Sequence, residues 1–127
     1  MTNLVSNLGV VATDTTGVGQ VRRALTACGY GGDKGIFAYG YTGSANTTIS
    51  NLVSNTGVVA TDTSGVGTAH NAGASASYGG DKGIFGFGSG YTAVTNLVSN
   101  LGVVGSNVTG VGTAREGSAA AGYSNSA

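Results

Sequence analysis

The sequence predicts an all-β protein, a β-propeller-type array of about 2.7 repeated units. The first observation is that motifs recur at offsets of 48 (51 minus 3) and 45 (96 minus 51) residues. Asn-Leu-Val-Ser-Asn occurs three times, Asp-Lys-Gly-Ile-Phe twice and Gly-Val-Gly three times; the copies begin at Asn3, Asn51 and Asn96, at Asp33 and Asp81, and at Gly17, Gly65 and Gly110. The second observation is that strand-forming residues come in short runs between glycines and polar residues, which is typical of a propeller blade.

The stretch from Asp33 to Gly80 contains each segment of the repeat once, and each segment has a local reason. Aromatic and β-branched residues predict strands, whereas polar residues and glycine predict loops and turns. The closing segment, 67–78, has a counterpart with some helical character at 21–28, but its own glycine and serine residues favour a strand. The predicted order is a strand at 33–41, a loop at 42–48, a strand at 49–55, a turn at 56–57, a short strand at 58–61, a turn at 62–65 and the closing strand. The single array, residues 1–127, divides into units 3–50, 51–95 and a truncated 96–127.

Composition narrows the classes of partner. Lys and Arg together number five, as do Asp and Glu, so the chain has no net charge to attract nucleic acid or an anionic membrane surface. We expect no membrane insertion, because no run approaches the ~18 apolar residues of a spanning helix. The hydrophobic content of 40% is enough for a folded chain despite the 25 glycines. We expect no signal peptide, because the N-terminus begins directly in the repeat.

The repeated apolar positions predict the core. Each unit can bury one side of its own sheet, so the neighbouring unit must cover the rest. We expect the three Asn-Leu-Val-Ser-Asn segments to be equivalent strands. The predicted core includes Leu4, Leu52 and Leu97, Val5, Val53 and Val98, Val11, Val59 and Val104, and Ile36 and Ile84.

Six aromatic residues are the candidate ligand-binding positions. Repeated rings on one scaffold can stack on sugar faces, or they can form the core between units. The positions are Tyr30, Tyr78 and Tyr123, which are equivalent, Tyr39 and Phe87, which are equivalent, and Tyr41.

Other polar positions predict structure rather than chemistry. His70 is equivalent to Arg22 and Arg115, and we expect a rim or loop contact there. Asp14, Asp62 and Asn107 share a position, and we expect the side chain there to cap its own turn. Cys28 takes the place of an alanine in the other units, which predicts a small buried side chain. No nucleophile–base pair, paired carboxylates or metal-ligand spacing can be placed, so we predict no enzyme, no catalytic residue, no metal and no cofactor.

The order of motifs resembles a known group of repeats. Lys-Gly-Ile-Phe, then Thr-Asn-Leu-Val-Ser-Asn, then Gly-Val-Gly-Thr-Ala-Arg and Gly-Tyr is similar to the kelch-like repeats of tailed, especially marine, bacteriophages. The resemblance covers nearly the whole chain. The chain departs from kelch repeats proper, because it has no Trp and no paired glycines after the aromatic strand. The resemblance implies a propeller with one repeat per blade and a place in the virion.

Two functions remain open from the sequence. The first is a non-enzymatic tail or capsid appendage, with host surface glycans as the ligand. The second is a purely structural fibre, sheath or decoration protein whose faces contact only neighbouring subunits. In both cases the edges at Thr2–Asn7 and Ala114–Tyr123 lack the aromatic strand. We therefore expect these edges to contact further copies of the chain or more of its own polypeptide.

Overall fold

The computed structural model describes residues 1–123, which contain β-strands and no helix. Sheet 1 consists of β1 (Thr26–Tyr30), β2 (Lys34–Ala38) and β3 (Ser50–Val53), in that order. Sheet 2 consists of β4 (Ala74–Tyr78), β5 (Lys82–Gly86) and β6 (Thr95–Val98). All neighbouring strands are antiparallel. The all-β prediction is confirmed, as is the choice of a strand rather than a helix for the segments that became β1 and β4.

The two sheets are copies of each other in register as well as in sequence. In sheet 1 Ile36 lies opposite both Cys28 and Leu52. In sheet 2 the residues at the equivalent positions, Ala76, Ile84 and Leu97, pair in the same way. The offsets in the sequence therefore correspond to a repeated three-dimensional unit.

A fourth segment lies outside β3 but is not a strand. The sequence predicts a short strand at 58–61, and the structure contains isolated bridges between Val53 and Val59 and between Ser50 and Thr63. The two bridged residues of β3 are three positions apart, whereas their partners in the facing segment are four positions apart. The extra residue in the facing segment interrupts the ladder of hydrogen bonds. Sheet 2 has the same pair of bridges.

The first copy of Asn-Leu-Val-Ser-Asn is not a strand equivalent to β3 and β6. Val5 bridges to Val11, and Thr2 bridges to Thr15, without a continuous ladder. In sheet 1, β3 pairs with β2, and residues 1–20 contain no counterpart of β2. Two bridged stretches of chain without a third strand beside them have too few backbone partners to form a stable sheet.

The predicted strand 33–41 ends early, at Ala38. Tyr39 has φ +61° and Gly40 has φ +107°, which turns the chain out of the extended conformation. Phe87 and Gly88, the equivalent residues, have φ +63° and +128°. The repeated turn directs one aromatic ring of each unit towards the next unit.

The core lies between the two sheets. The residues with the largest fully buried side chains are Tyr39, Phe85, Ile36, Val98 and Asn96. The core prediction is confirmed for Ile36 and Val98, and Leu52 and Val104 pack against the same cluster. It is wrong for the exposed members Leu4, Val5, Val11 and Leu97. Leu4, Val5 and Val11 lie in the segment without a central strand, and Leu97 faces away from sheet 1; Val53, Val59 and Ile84 are half-buried.

Candidate interface between repeat units

Sheets 1 and 2 pack closely because the residues between them are small. Ser75 Oγ donates a hydrogen bond to the carbonyl oxygen of Ala27 at 2.6 Å. Ser77 Oγ donates to the carbonyl oxygen of Gly29 at 3.1 Å and accepts from its N–H at 3.2 Å. Each of these serines bonds to the residue 48 positions before it, the same position in the preceding unit. Equivalent strands of consecutive units therefore lie directly against each other.

Cys28 is part of this contact. A Cβ at Gly83 would lie 2.5 Å from Cys28 Sγ, so β5 approaches β1 only because residue 83 has no side chain. The Cys28 side chain packs against the core cluster. Burial raises the pKa of its thiol to about 11. The side chain is half-buried, so the prediction of a small buried side chain is confirmed only in part.

A line of backbone hydrogen bonds also joins equivalent residues. The N–H of Ala72 donates to the carbonyl oxygen of Ala24 at 2.9 Å, and the N–H of Gly117 donates to that of Ala72 at 3.0 Å. The three residues have φ values of 51°, 51° and 61°, in the left-handed region. Two alanines hold this costly conformation, which persists where surrounding contacts determine it. One hydrogen bond per unit thus continues through three consecutive units.

The histidine and arginine position forms an aromatic contact at the same interface. The His70 ring stacks on Tyr39 of the preceding unit, with centroids 4.0 Å apart and planes at 28°. In the next unit the Arg115 guanidinium lies 3.9 Å from the centroid of Phe87. The N–H groups of Gly40 and Gly88 donate to the carbonyl oxygens of His70 and Arg115, respectively. A cation or imidazole over an aromatic face is therefore a repeated feature of the interface.

The prediction of a rim or loop contact for His70 is wrong, because its exposed fraction is only 4%. Its Nδ1 lies 2.9 Å from the carbonyl oxygen of Thr68, so Nδ1 carries the proton and donates. Its Nε2 is buried and has no hydrogen-bond partner in residues 1–123. Burial lowers the pKa of His70 below its ordinary value, and the hydrogen bond to Thr68 offsets this in part. The ring is therefore mainly neutral at neutral pH.

The His70 contact makes stability depend on pH. Because the folded pKa lies below the ordinary value of 6.5, the unfolded chain binds a proton first as the pH falls. The stability contribution is complete above pH 6.5 and is lost as the pH falls from that value towards the folded pKa. We expect urea denaturation to show this loss as the pH falls below 6.5. The variant His70→Arg, which copies the third unit, should have a flatter profile; an unchanged slope would contradict the assignment.

The side chains at the shared Asp and Asn position accept hydrogen bonds from distant segments rather than from their own turn. Asp62 Oδ1 accepts from Asn51 Nδ2 at 2.8 Å, and Oδ2 accepts from the N–H of Gln20 at 2.9 Å. Hydrogen bonds from Asn51 and then from Gln20 lower the pKa of the Asp62 carboxyl. In the next unit Asn107 Oδ1 accepts from Asn96 and from the N–H of Thr68, both at 3.1 Å. The turn prediction is wrong because the sequence cannot show that a segment 42 residues away supplies the donor.

The aromatic candidates separate into core and accessible residues. Tyr30 and Tyr39 are 5% and 1% exposed, so neither offers a ring face to a ligand in this structure. Burial raises the pKa of Tyr39 to about 12, and its hydroxyl donates to the carbonyl oxygen of Val66. The other four are more accessible: Tyr41 lies under the Arg23 guanidinium, Phe87 lies under Arg115, and Tyr78 and Tyr123 line one cavity.

Two Asp-Lys neighbours form local ion pairs. Lys34 Nζ lies 2.6 Å from Asp33, and Lys82 Nζ lies 3.1 Å from Asp81, and all four side chains are substantially exposed. Exposed pairs of this kind add little stability. In the part of the chain that the structure describes, no three His, Cys, Asp or Glu side chains come together as a metal site would require.

No protein-family model matches the chain, and no curated protein matches its sequence. Residues 1–123 contain no helix long and apolar enough to cross a membrane.

Proposed function

We propose that the chain is a non-catalytic structural part of a bacteriophage virion, a tail or capsid appendage in which β-propeller-type units stack on each other. Each unit is one blade, formed by a three-stranded sheet and its bridged fourth segment. The observation that supports a scaffold is the repetition of the same interface contacts at equivalent positions. The virion as the location rests on the resemblance to phage repeats.

The buried polar groups support structure over chemistry. His70 is held between Thr68 and Tyr39, and its neutral ring is 4% exposed. The Cys28 thiol has a raised pKa of about 11 and stays protonated at neutral pH, whereas a nucleophilic cysteine has a lowered pKa. Asn51 and Asn96 use their amides to close the unit. Each of these groups packs or forms hydrogen bonds inside the fold, and this role does not suit it to act on a substrate.

Binding of host glycans is the second candidate function. The Tyr123 ring favours it, because the residue is 81% exposed and tyrosine commonly stacks on sugars. A glycan array with the whole chain tests this candidate. Binding that is lost in Tyr123→Ala would support it. An array without a signal would contradict it, and the structural function would be the only candidate left.

The virion location has a direct test. Mass spectrometry of density-purified particles from the phage that encodes the sequence should detect its peptides at a stoichiometry of several copies per particle. A matched sample of infected-cell lysate is the control. Peptides found in the lysate but not in the particles would overturn the proposed location.

A further inference from the structure

A cavity of about 410 Å³ lies on the face of sheet 2 that points away from sheet 1. One wall is formed by residues of sheet 2, including Ala76, Tyr78 and Ile84. The opposite wall is formed by residues of the following segment, Ala121 and Tyr123. The lining is mostly apolar, and in residues 1–123 nothing fills it.

The same face of sheet 1 is covered. Tyr30 is 5% exposed and Ile36 is 1% exposed, whereas their equivalents Tyr78 and Ile84 are only half-buried. Leu52 packs against the core, and its equivalent Leu97 is 41% exposed. The residue types are identical at all three positions, so the difference in burial comes from what lies next to each sheet.

Two elements of sheet 2 cover sheet 1. Strand β5 contacts β1, and Gly83 lies against Cys28 Sγ. The turn at Gly102 lies against both Leu52 and Tyr30. Leu4 lies against the equivalent turn glycine, Gly57. The contact between an apolar face and the next unit is therefore general in this chain.

The residues of the two walls of the cavity are equivalent to those that β5 contacts on its two sides. Ala76 is equivalent to Cys28, the residue that Gly83 contacts. Ala121 is equivalent to Ala76, the residue that pairs with Ile84 of β5. The cavity thus lies between the residues that would pack against, and pair with, a strand equivalent to β5.

We propose that this cavity is the acceptor site for an extended strand of the Lys-Gly-Ile-Phe type, supplied by a further unit of the same repeat. The strand adds antiparallel to residues 119–123, and its main chain provides the hydrogen bonds while its side chains provide specificity. Its glycine lies against Ala76, as Gly83 lies against Cys28. Its phenylalanine covers the apolar floor formed by Tyr78 and Ile84, as Phe85 covers Tyr30 and Ile36 of sheet 1. The proposal rests on the stacked units of the proposed function, but it does not depend on a location in a virion.

A peptide tests the site. The probe is a fluorescein-labelled peptide with the sequence of residues 33–40, titrated with the whole chain and followed by fluorescence anisotropy. We expect saturable binding of one peptide per chain. The matched control peptide carries Gly35→Val, and we expect at least a tenfold weaker binding, because the added side chain meets Ala76.

A variant of the protein gives an independent readout. Ala76→Leu fills the cavity and should weaken binding of the probe at least tenfold. Ala69→Leu, at an exposed residue, should bind the probe as the parent does. Thermal melting of both variants shows whether they fold, and the two peptides provide a comparison that needs no variant.

Every outcome decides the proposal. No binding, or equal binding of the two peptides, would overturn it. Association of whole chains that the peptide suppresses would support it, because the acceptor site would then be occupied by another copy. Association that the peptide does not affect, together with absent peptide binding, would overturn it and would place the contact on a different face. None of these outcomes changes the particle composition by which the proposed function is tested.

Discussion

Gly65→Ala is expected to lower the free energy of unfolding by about 3 kcal/mol or more. Gly65 is the first glycine of a Gly-Val-Gly motif, and a Cβ there would overlap the carbonyl group of Thr48. The obstacle is backbone, which cannot rotate away as a side chain can. The equivalent glycine, Gly110, meets the carbonyl group of Ala93 in the same way. The motif therefore recurs because two chain segments touch at this point, and urea denaturation of the variant measures the cost.

Gly105→Ala is the matched control. A Cβ at residue 105 would have only an ordinary contact, 3.5 Å from the carbonyl oxygen of Leu97. The preceding unit already has an alanine at this position, Ala60. We expect a change within about 0.5 kcal/mol. Equal losses in the Gly65 and Gly105 variants would show that the close contact at Thr48 does not exist.

Phe85→Ala is the second large expected effect, a loss of about 3–5 kcal/mol. Phe85 is 0% exposed, and its ring packs edge-on against Tyr39 with centroids 5.6 Å apart. Phe37 occupies the same position of sheet 1, but it is half-buried and lines a cavity beside residues 17–22. Truncation of Phe37 should therefore cost clearly less, because part of its surface already contacts water.

The comparison of the two phenylalanines tests whether neighbours determine burial. Both substitutions remove the same atoms from the same position of the repeat. Thermal or urea unfolding of the two variants gives the difference directly. If Phe37→Ala costs as much as Phe85→Ala, the interface between sheets 1 and 2 does not contribute the extra burial of Phe85.

The sequence predicted the all-β class and the equivalence of positions in sheets 1 and 2. The motifs share the offsets of 48 and 45 residues, which predicts equivalent places in neighbouring units; this holds for sheets 1 and 2 but not for the segment 3–7. The alternation of strand formers with glycine also located β2, β3, β5 and β6 to within a few residues. Local residue types determine these features.

The burial of each copy could not be predicted in the same way. Leu4, Leu52 and Leu97 are identical in the sequence, yet only Leu52 packs against the core. Whether such a residue is covered depends on the unit beside it, which the repeat does not specify. The first and last copies therefore differ from the middle one.

The contact between Tyr39 and His70 also could not be predicted from the sequence. Tyr39 and His70 lie 31 residues apart (70 minus 39), in different units. The signal was present, since units 3–50 and 51–95 each have an aromatic residue and a basic or imidazole residue at equivalent positions. Its meaning depends on the left-handed turn at Tyr39, which directs the ring towards the next unit. A bulky residue with φ +61° is uncommon and cannot be anticipated from propensity.

The central claim is that consecutive units touch through equivalent residues, and amide hydrogen exchange followed by NMR tests it most directly. Ala72 and Gly117 lie outside the strands, and each N–H donates to the equivalent residue of the preceding unit. We expect both amides to exchange much more slowly than that of Gly43, which lies in an exposed loop. Exchange of Ala72 and Gly117 at the rate of Gly43 would show that the line of hydrogen bonds between units is not formed, and it would contradict the stacked arrangement.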